Sequence, residues 1–247
     1  MGQPNEHWDE QATGDLRLGG QPWFAHYHTA SFLRAIACGL RHLGRPPRSV
    51  LKTDLWNEGV EIDRDVLSGA SGLDAAVIGM DISHGVCRGA RRRLAGLPAT
   101  QGDIRSLPFD SGRFDLVLDL STSDHVDETD VGPVLREYAR VLRGDGVLVL
   151  VFTHDGAIFS RLKRLLIRLR GRNPWNQQWF DVDWMARQLE PLFTTLETHD
   201  TGTLTVLRAL RHLPLPLSRA RGWGGRILDA EYSGPAGAVL RAISTYH

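Results

Sequence analysis

The chain has 247 residues, 42% of them apolar and 23% charged, with 29 basic residues against 29 acidic ones. That length allows one large domain with a sizeable core, and a formal charge of zero excludes a general polyanion binder, which needs a basic surface. No apolar run approaches the ~18–20 residues that span a bilayer, and the polar, acidic opening MGQPNEHWDEQATGD lacks the form of a signal peptide. Cys38 and Cys87 have no metal-ligand spacing, which points to reduced thiols in a cytoplasmic protein.

After a loose lead-in over residues 1–20, Phe32, Leu33, Ile36, Leu40 and Leu43 recur at three- and four-residue steps. The spacing predicts an amphipathic helix from Pro22 to Leu43, stopped by Gly44 and Pro46-Pro47. Strands and helices then alternate. Val50 to Asp54 is a short buried strand and Ala75 to Ser83 a second. A helix through GVCRGARRRLAG leads to a third strand in PATQGDI, and Phe114 to Ser121 is the fourth. The helix VGPVLREYARVLR follows, and GDGVLVLVF turns tightly into a fifth strand. Strands separated by helical patterns predict βαβ units, hence an α/β protein with a parallel sheet covered on both faces.

Beyond Phe152 the pattern loosens. The stretch Arg161 to Arg172 has six basic residues and no acid, with Leu162, Leu165, Leu166 and Leu169 on one helical face. It is expected to be a lid helix whose leucines cover the active site, rather than a membrane-surface helix. DVDWMARQLEPLF is a further helix, TTLETHDTGTLTVL a strand, and AGAVLRAISTYH a last strand.

In an open parallel sheet, ligands collect outside the carboxyl ends of the strands, where the strand order reverses. The first strand ends at Thr53-Asp54, and its loop carries Asn57 and Glu58. The second ends at Asp81-Ile82, where an acid can accept from both hydroxyls of a ribose, or simply cap the next helix. The third ends at Asp103-Ile104, a pair suited to the amino group and ring of an adenine; a turn aspartate after Gly102 is the plainer alternative. The fourth releases Ser121, Asp124 and His125, and the fifth ends at Thr153-His154-Asp155.

In this order the pieces resemble the class I S-adenosylmethionine-dependent methyltransferases, particularly the small-molecule type. The residues that carry the resemblance are Asp81, Asp103-Ile104, Leu107-Pro108-Phe109, Phe114-Asp115-Leu116-Val117, SDHV from Ser123 to Val126, and LREYARVLRGDGVLVL. The opening HWDEQA, from His7, fits the same family. The resemblance covers about Arg48 to Phe152. It implies a doubly wound, mostly parallel seven-stranded sheet of Rossmann-like methyltransferase type. A helical cap (1–47) would precede the cofactor-binding core (48–155), and lid helices and C-terminal strands (156–247) would complete the same domain. The cofactor it implies is S-adenosyl-L-methionine, with S-adenosyl-L-homocysteine as product.

The first strand and its turn depart from the family pattern. Lys52 replaces the usual acid, and Asp54, Trp56 and Glu58 stand where glycines would let the backbone approach the methionine end of the cofactor. Two readings follow. Asp54 or Glu58 pairs with the methionine ammonium while Lys52 or Thr53 meets its carboxylate, or the site has closed and the domain is a cofactor-free scaffold. The first is preferred, because a compact polar set, KTDLWNE, occupies the loop.

Methyl transfer from a sulfonium is an in-line displacement that depends on alignment. An oxygen or nitrogen nucleophile also needs a base, and His125 and His154 stand at the right sheet edge. Tyr27, His28 and Trp179 are candidates for substrate contact. The expected partner is a small molecule of secondary metabolism, with no nucleic acid and no membrane contact, for a monomer or homodimer. No metal is expected. Non-methylating chemistry on the same fold, a cyclisation or rearrangement, is the alternative activity.

Overall fold

A computed structural model describes residues 4–13, 22–60, 66–70, 73–154 and 176–199, with a few positions between 164 and 173. Five strands, β1 (Ser49–Lys52), β2 (Ala76–Asp81), β3 (Ala99–Gln101), β4 (Phe114–Leu120) and β5 (Leu142–Val151), form one sheet in the order β3-β2-β1-β4-β5. All four pairings are parallel. The helices are α1 (Pro4–Thr13), α2 (Pro22–Leu43), the one-turn α3 (Trp56–Gly59), α4 (His84–Arg93), α5 (Glu128–Val141) and α6 (Val182–Leu189). The expected α/β class and parallel sheet are present, and five of the seven expected strands lie among the described residues.

Side-chain alternation divides the core between the two faces of the sheet. Val50, Leu116, Leu118 and Val149 pack with Phe32 and Ile36 of α2 on one face. Leu51 and Val117 pack with Val134, Leu135 and Tyr138 of α5 and Met185 of α6 on the other. All seven residues of β4 are buried, as a central strand with helices above and below requires. Gly39 lets α2 close on the sheet: a Cβ there would lie 2.3 Å from Val149 Cγ2. At Gly89, a Cβ would lie 2.3 Å from the Gly59 carbonyl oxygen, so glycine is what allows α3 to rest on α4.

Two expectations change in detail. The tight turn at Gly144 to Gly146 is an irregularity within β5: Phe114 pairs with Leu142, then Leu116 with Val147. Residues 194–199, expected to begin a strand, have no regular structure because they pair with no strand of the described sheet. The rest of that strand, the final strand and most of the basic helix lie outside the described residues. In that helix Leu165 and Leu169 are 51% and 74% exposed.

Candidate functional site

Strand order reverses between β1 and β4, so the crevice at their carboxyl ends is where a ligand should sit. The hydroxyls of Thr53 and Thr122 meet across it at 3.0 Å, and Thr53 Oγ1 also donates to the Leu118 carbonyl at 3.2 Å.

The loop after β1 is organised around Lys52. Its ammonium is wholly buried and donates to the Asp54 carbonyl oxygen at 2.6 Å, Asp54 Oδ2 at 3.2 Å and Glu58 Oε2 at 2.9 Å. Burial alone would push the Lys52 pKa down, but Asp54 and Glu58 outweigh it and hold the group charged. Glu58 is as fully buried as Lys52, and its second oxygen accepts from Val66 N at 3.2 Å. Asp54 differs: its side chain is 17% exposed, with Oδ1 accepting from Trp56 N at 3.2 Å. Asn57 is half-buried on α3.

Asp81 reaches across from β2. Oδ2 accepts from Leu55 N at 2.9 Å and Oδ1 from Ser83 N at 2.8 Å. Burial, with help from the Asp54 charge, pushes its pKa up to about 7 against the pull of those two amides and Lys52. Ile82 is half-buried, and its carbonyl accepts from Gln101 Nε2 at 3.0 Å. After β3, Asp103 is held by the Arg105 guanidinium at 2.6–3.0 Å, and Arg105 also reaches Asp130 at 2.9 Å. Ile104 is 7% exposed.

Two acids at the end of β4 hold the other wall. Asp119 accepts from Thr122 N at 2.8 Å and Tyr138 OH at 2.9 Å, and burial raises its pKa to about 6. Asp124 accepts from Ser121 Oγ, Thr153 N, Thr153 Oγ1 and Gln177 Nε2 at 2.8–3.3 Å, fastening β4, β5 and the chain before α6. Ser121 has φ of 73°, a left-handed conformation uncommon outside glycine, and one that often marks functional sites.

Helix α1 lies over this crevice, which the spacing of its residues does not reveal. The Trp8 ring meets Trp56 edge-on at 6.0 Å and His125 at 5.1 Å, joining the β1 loop to the β4 loop. Asp9 Oδ1 accepts from Gly85 N at 3.0 Å and from Ser83 Oγ, so it sits at the N-terminus of α4, where a negative charge is favoured. His7 Nε2, beside Trp8, is buried without a hydrogen-bond partner among the described residues.

Of the sequence candidates, Thr53, Asp54, Glu58, Asp81, Ser121 and His125 are thus brought together by direct contacts or through a shared neighbour. Asp103 is tied to Arg105 instead. His154 is half-buried and bridges Phe180 through its backbone, and Trp179 is half-buried next to it. His28 packs edge-on against Phe32 at 5.9 Å, and the Tyr27 side chain lies outside the described residues. Trp8, Asp9, Asp119 and Gln177 were missed; the signal for the first two was their place in HWDEQA.

A family model described as a methyltransferase domain matches residues 59–150. The chain thus carries the likeness of a methyltransferase domain over residues 59–150. An uncharacterized 37.1 kDa protein in transposon TN4556 of Streptomyces fradiae is 37% identical over 95 residues; the match spans 37% of this chain and 27% of that protein. Among solved structures, the N-methyltransferase NodS of Bradyrhizobium japonicum, in complex with S-adenosyl-L-homocysteine, superposes with a TM-score of 0.56 at 15% identity. That likeness covers 78% of this chain and 87% of NodS. The Burkholderia thailandensis 1,6-didemethyltoxoflavin-N1-methyltransferase gives a TM-score of 0.53 at 20% identity, covering 81% and 83% of the two chains. Both likenesses establish the methyltransferase fold. No helix among the described residues is long and apolar enough to cross a membrane.

Proposed function

We propose that the chain binds S-adenosylmethionine between the ends of β1 and β4 and transfers its methyl group to an oxygen or nitrogen of a small molecule in the cytoplasm. The observation that carries this reading is the switch-point crevice of a methyltransferase domain, walled by Asp54 and Asp81. The donor set fits a ligand made of an ammonium, a ribose and an adenine. Asp54 keeps part of its carboxylate open for the ammonium, and each Asp81 oxygen has a second lone pair for a ribose hydroxyl. The unpartnered His7 Nε2 offers a further polar contact under the Trp8 roof. Lys52 and Glu58 hold the loop in shape from inside.

When bound, the sulfonium supplies an electrophilic methyl carbon. The protein aligns the acceptor, excludes water and takes up a proton. His125, in ring contact with Trp8 and 3.8 Å from Asp124 Oδ1, is the base favoured by this geometry.

Calorimetry with S-adenosylmethionine and S-adenosylhomocysteine tests the reading. Binding at micromolar concentration is expected. Asp81→Ala and Asp54→Ala should each weaken it by about tenfold, the loss of one charge-assisted hydrogen bond. A cofactor-free scaffold is the second reading, favoured by the complete internal pairing of Lys52. Absence of binding at millimolar ligand selects it and overturns the first.

A further inference from the structure

Cys38 and His42 lie four residues apart on α2 and therefore share one face of the helix. Glu197, in the segment after α6, returns to that face 155 positions from His42. Its Oε2 accepts from Cys38 Sγ at 2.9 Å and lies 2.7 Å from His42 Nε2, while His199 Nε2 bonds Oε1 of the same carboxylate. One donor atom each from Cys38, His42 and Glu197 lies within 4.8 Å of the others.

We propose that Cys38, His42 and Glu197, the last oriented by His199, form a binding site for a divalent cation of the zinc type. The donor set decides the class of metal. A thiolate and an imidazole suit zinc, whereas magnesium and calcium take oxygen ligands. His199 Nε2 holds the far oxygen of the Glu197 carboxylate and lies outside the three converging atoms, so solvent would complete the tetrahedral shell. The place of the cluster marks it as structural. Three residues beyond His42, Arg45 meets Asp115 at the start of β4, so this end of α2 lies toward the amino edge of the sheet, opposite the crevice.

The hydrogen-bonded cluster is a contracted form of the same arrangement. The cation replaces the protons between the donors, and the Cys38 thiol proton passes to solvent as the metal–sulfur bond forms. The side chains of His42, Glu197 and His199 are 33%, 30% and 41% exposed, which gives an ion a path in. Arg41, 3.5 Å from Glu197 Oε2 and 64% exposed, is free to turn outward as the cation takes its place. Bound metal would pin the segment after α6 to α2 across a long stretch of chain, and closing so long a loop adds stability.

The test uses the full chain, stripped with a chelator and kept reduced without thiols, titrated with Co²⁺ and then Zn²⁺. One equivalent of Co²⁺ should give a sulfur-to-cobalt charge-transfer band and the strong visible absorption of tetrahedral cobalt, both lost on adding Zn²⁺. Cys38→Ser should abolish the charge-transfer band, and Cys87→Ser should leave it intact. His42→Gln and Glu197→Gln should each lower affinity by about tenfold or more, and Zn²⁺ should raise the melting temperature of the parent chain by more than that of either variant. The last two changes lie on partly exposed side chains and keep the test open if Cys38→Ser misfolds. A missing charge-transfer band, a band that survives Cys38→Ser, or an affinity indifferent to both His42→Gln and Glu197→Gln would overturn the proposal. No readout depends on cofactor binding or methyl transfer.

Discussion

Lys52 Nζ lies 2.9 Å from Glu58 Oε2, with both side chains at 0% exposure, so the β1 loop is built around a buried ion pair. Six residues separate the partners, and the carbonyl and carboxylate of Asp54 complete the ammonium's shell. In this loop the chain is held by side-chain charges. Breaking such a pair from one side strands a charge in a dry interior.

Lys52→Met should therefore cost roughly 3–5 kcal/mol of folding stability. The double change Lys52→Met with Glu58→Gln should recover a large part of that loss. Urea denaturation of the three proteins measures both, and equal losses in the single and double variants would contradict the ion-pair account.

The pH profile follows from the acids at the ends of β2 and β4. Asp81, at about 7, and Asp119, at about 6, are raised above the ordinary aspartate value of about 3.9. Between those limits the folded chain holds more protons than the unfolded one, so these groups make stability fall as pH rises from ~4 to ~7. Asp81→Asn should flatten that fall. Melting temperatures at half-unit pH steps check it, and identical profiles for parent and variant would contradict the role of Asp81.

Asp124 is buried and accepts from four groups on three segments. Asp124→Asn exchanges one acceptor oxygen for a donor facing other donors. A loss of about 2–3 kcal/mol is expected. Hydrogen exchange should show faster opening around Thr153 and Gln177 than around β1. Uniform protection across the sheet would argue against a fastening role.

Trp8 roofs the crevice by two edge-on ring contacts, each worth about 0.5–1.5 kcal/mol. Trp8→Ala should weaken S-adenosylhomocysteine binding by about five- to tenfold, while changing global stability less than Lys52→Met does. Unchanged affinity would show that α1 covers the crevice without contributing to the bound state.

The strand-end acids were legible in the sequence because a strand followed by a helix places its last residues at one edge of a parallel sheet. Periodicity found β1, β2 and β4 to within a residue or two. It overextended the third strand, from seven residues of PATQGDI to the three of β3, because pairing with β2 ends at Gln101. The strand expected over residues 194–199 has no partner among the described strands. Among site residues, Asp54 and Asp81 were visible as acids, but their surroundings were not.

By itself the sequence determined the alternation of strand and helix, the apolar faces that bury the sheet, and the acids at or just beyond the ends of β1, β2 and β3, since each depends on spacing along the chain. Only the tertiary structure decided what those side chains meet. It buried Lys52 against Glu58, bonded Asp81 to Leu55 N, laid Trp8 over Trp56 and His125, and carried Glu197 to Cys38 and His42. These contacts depend on how helices and loops pack in three dimensions, and no local period records that.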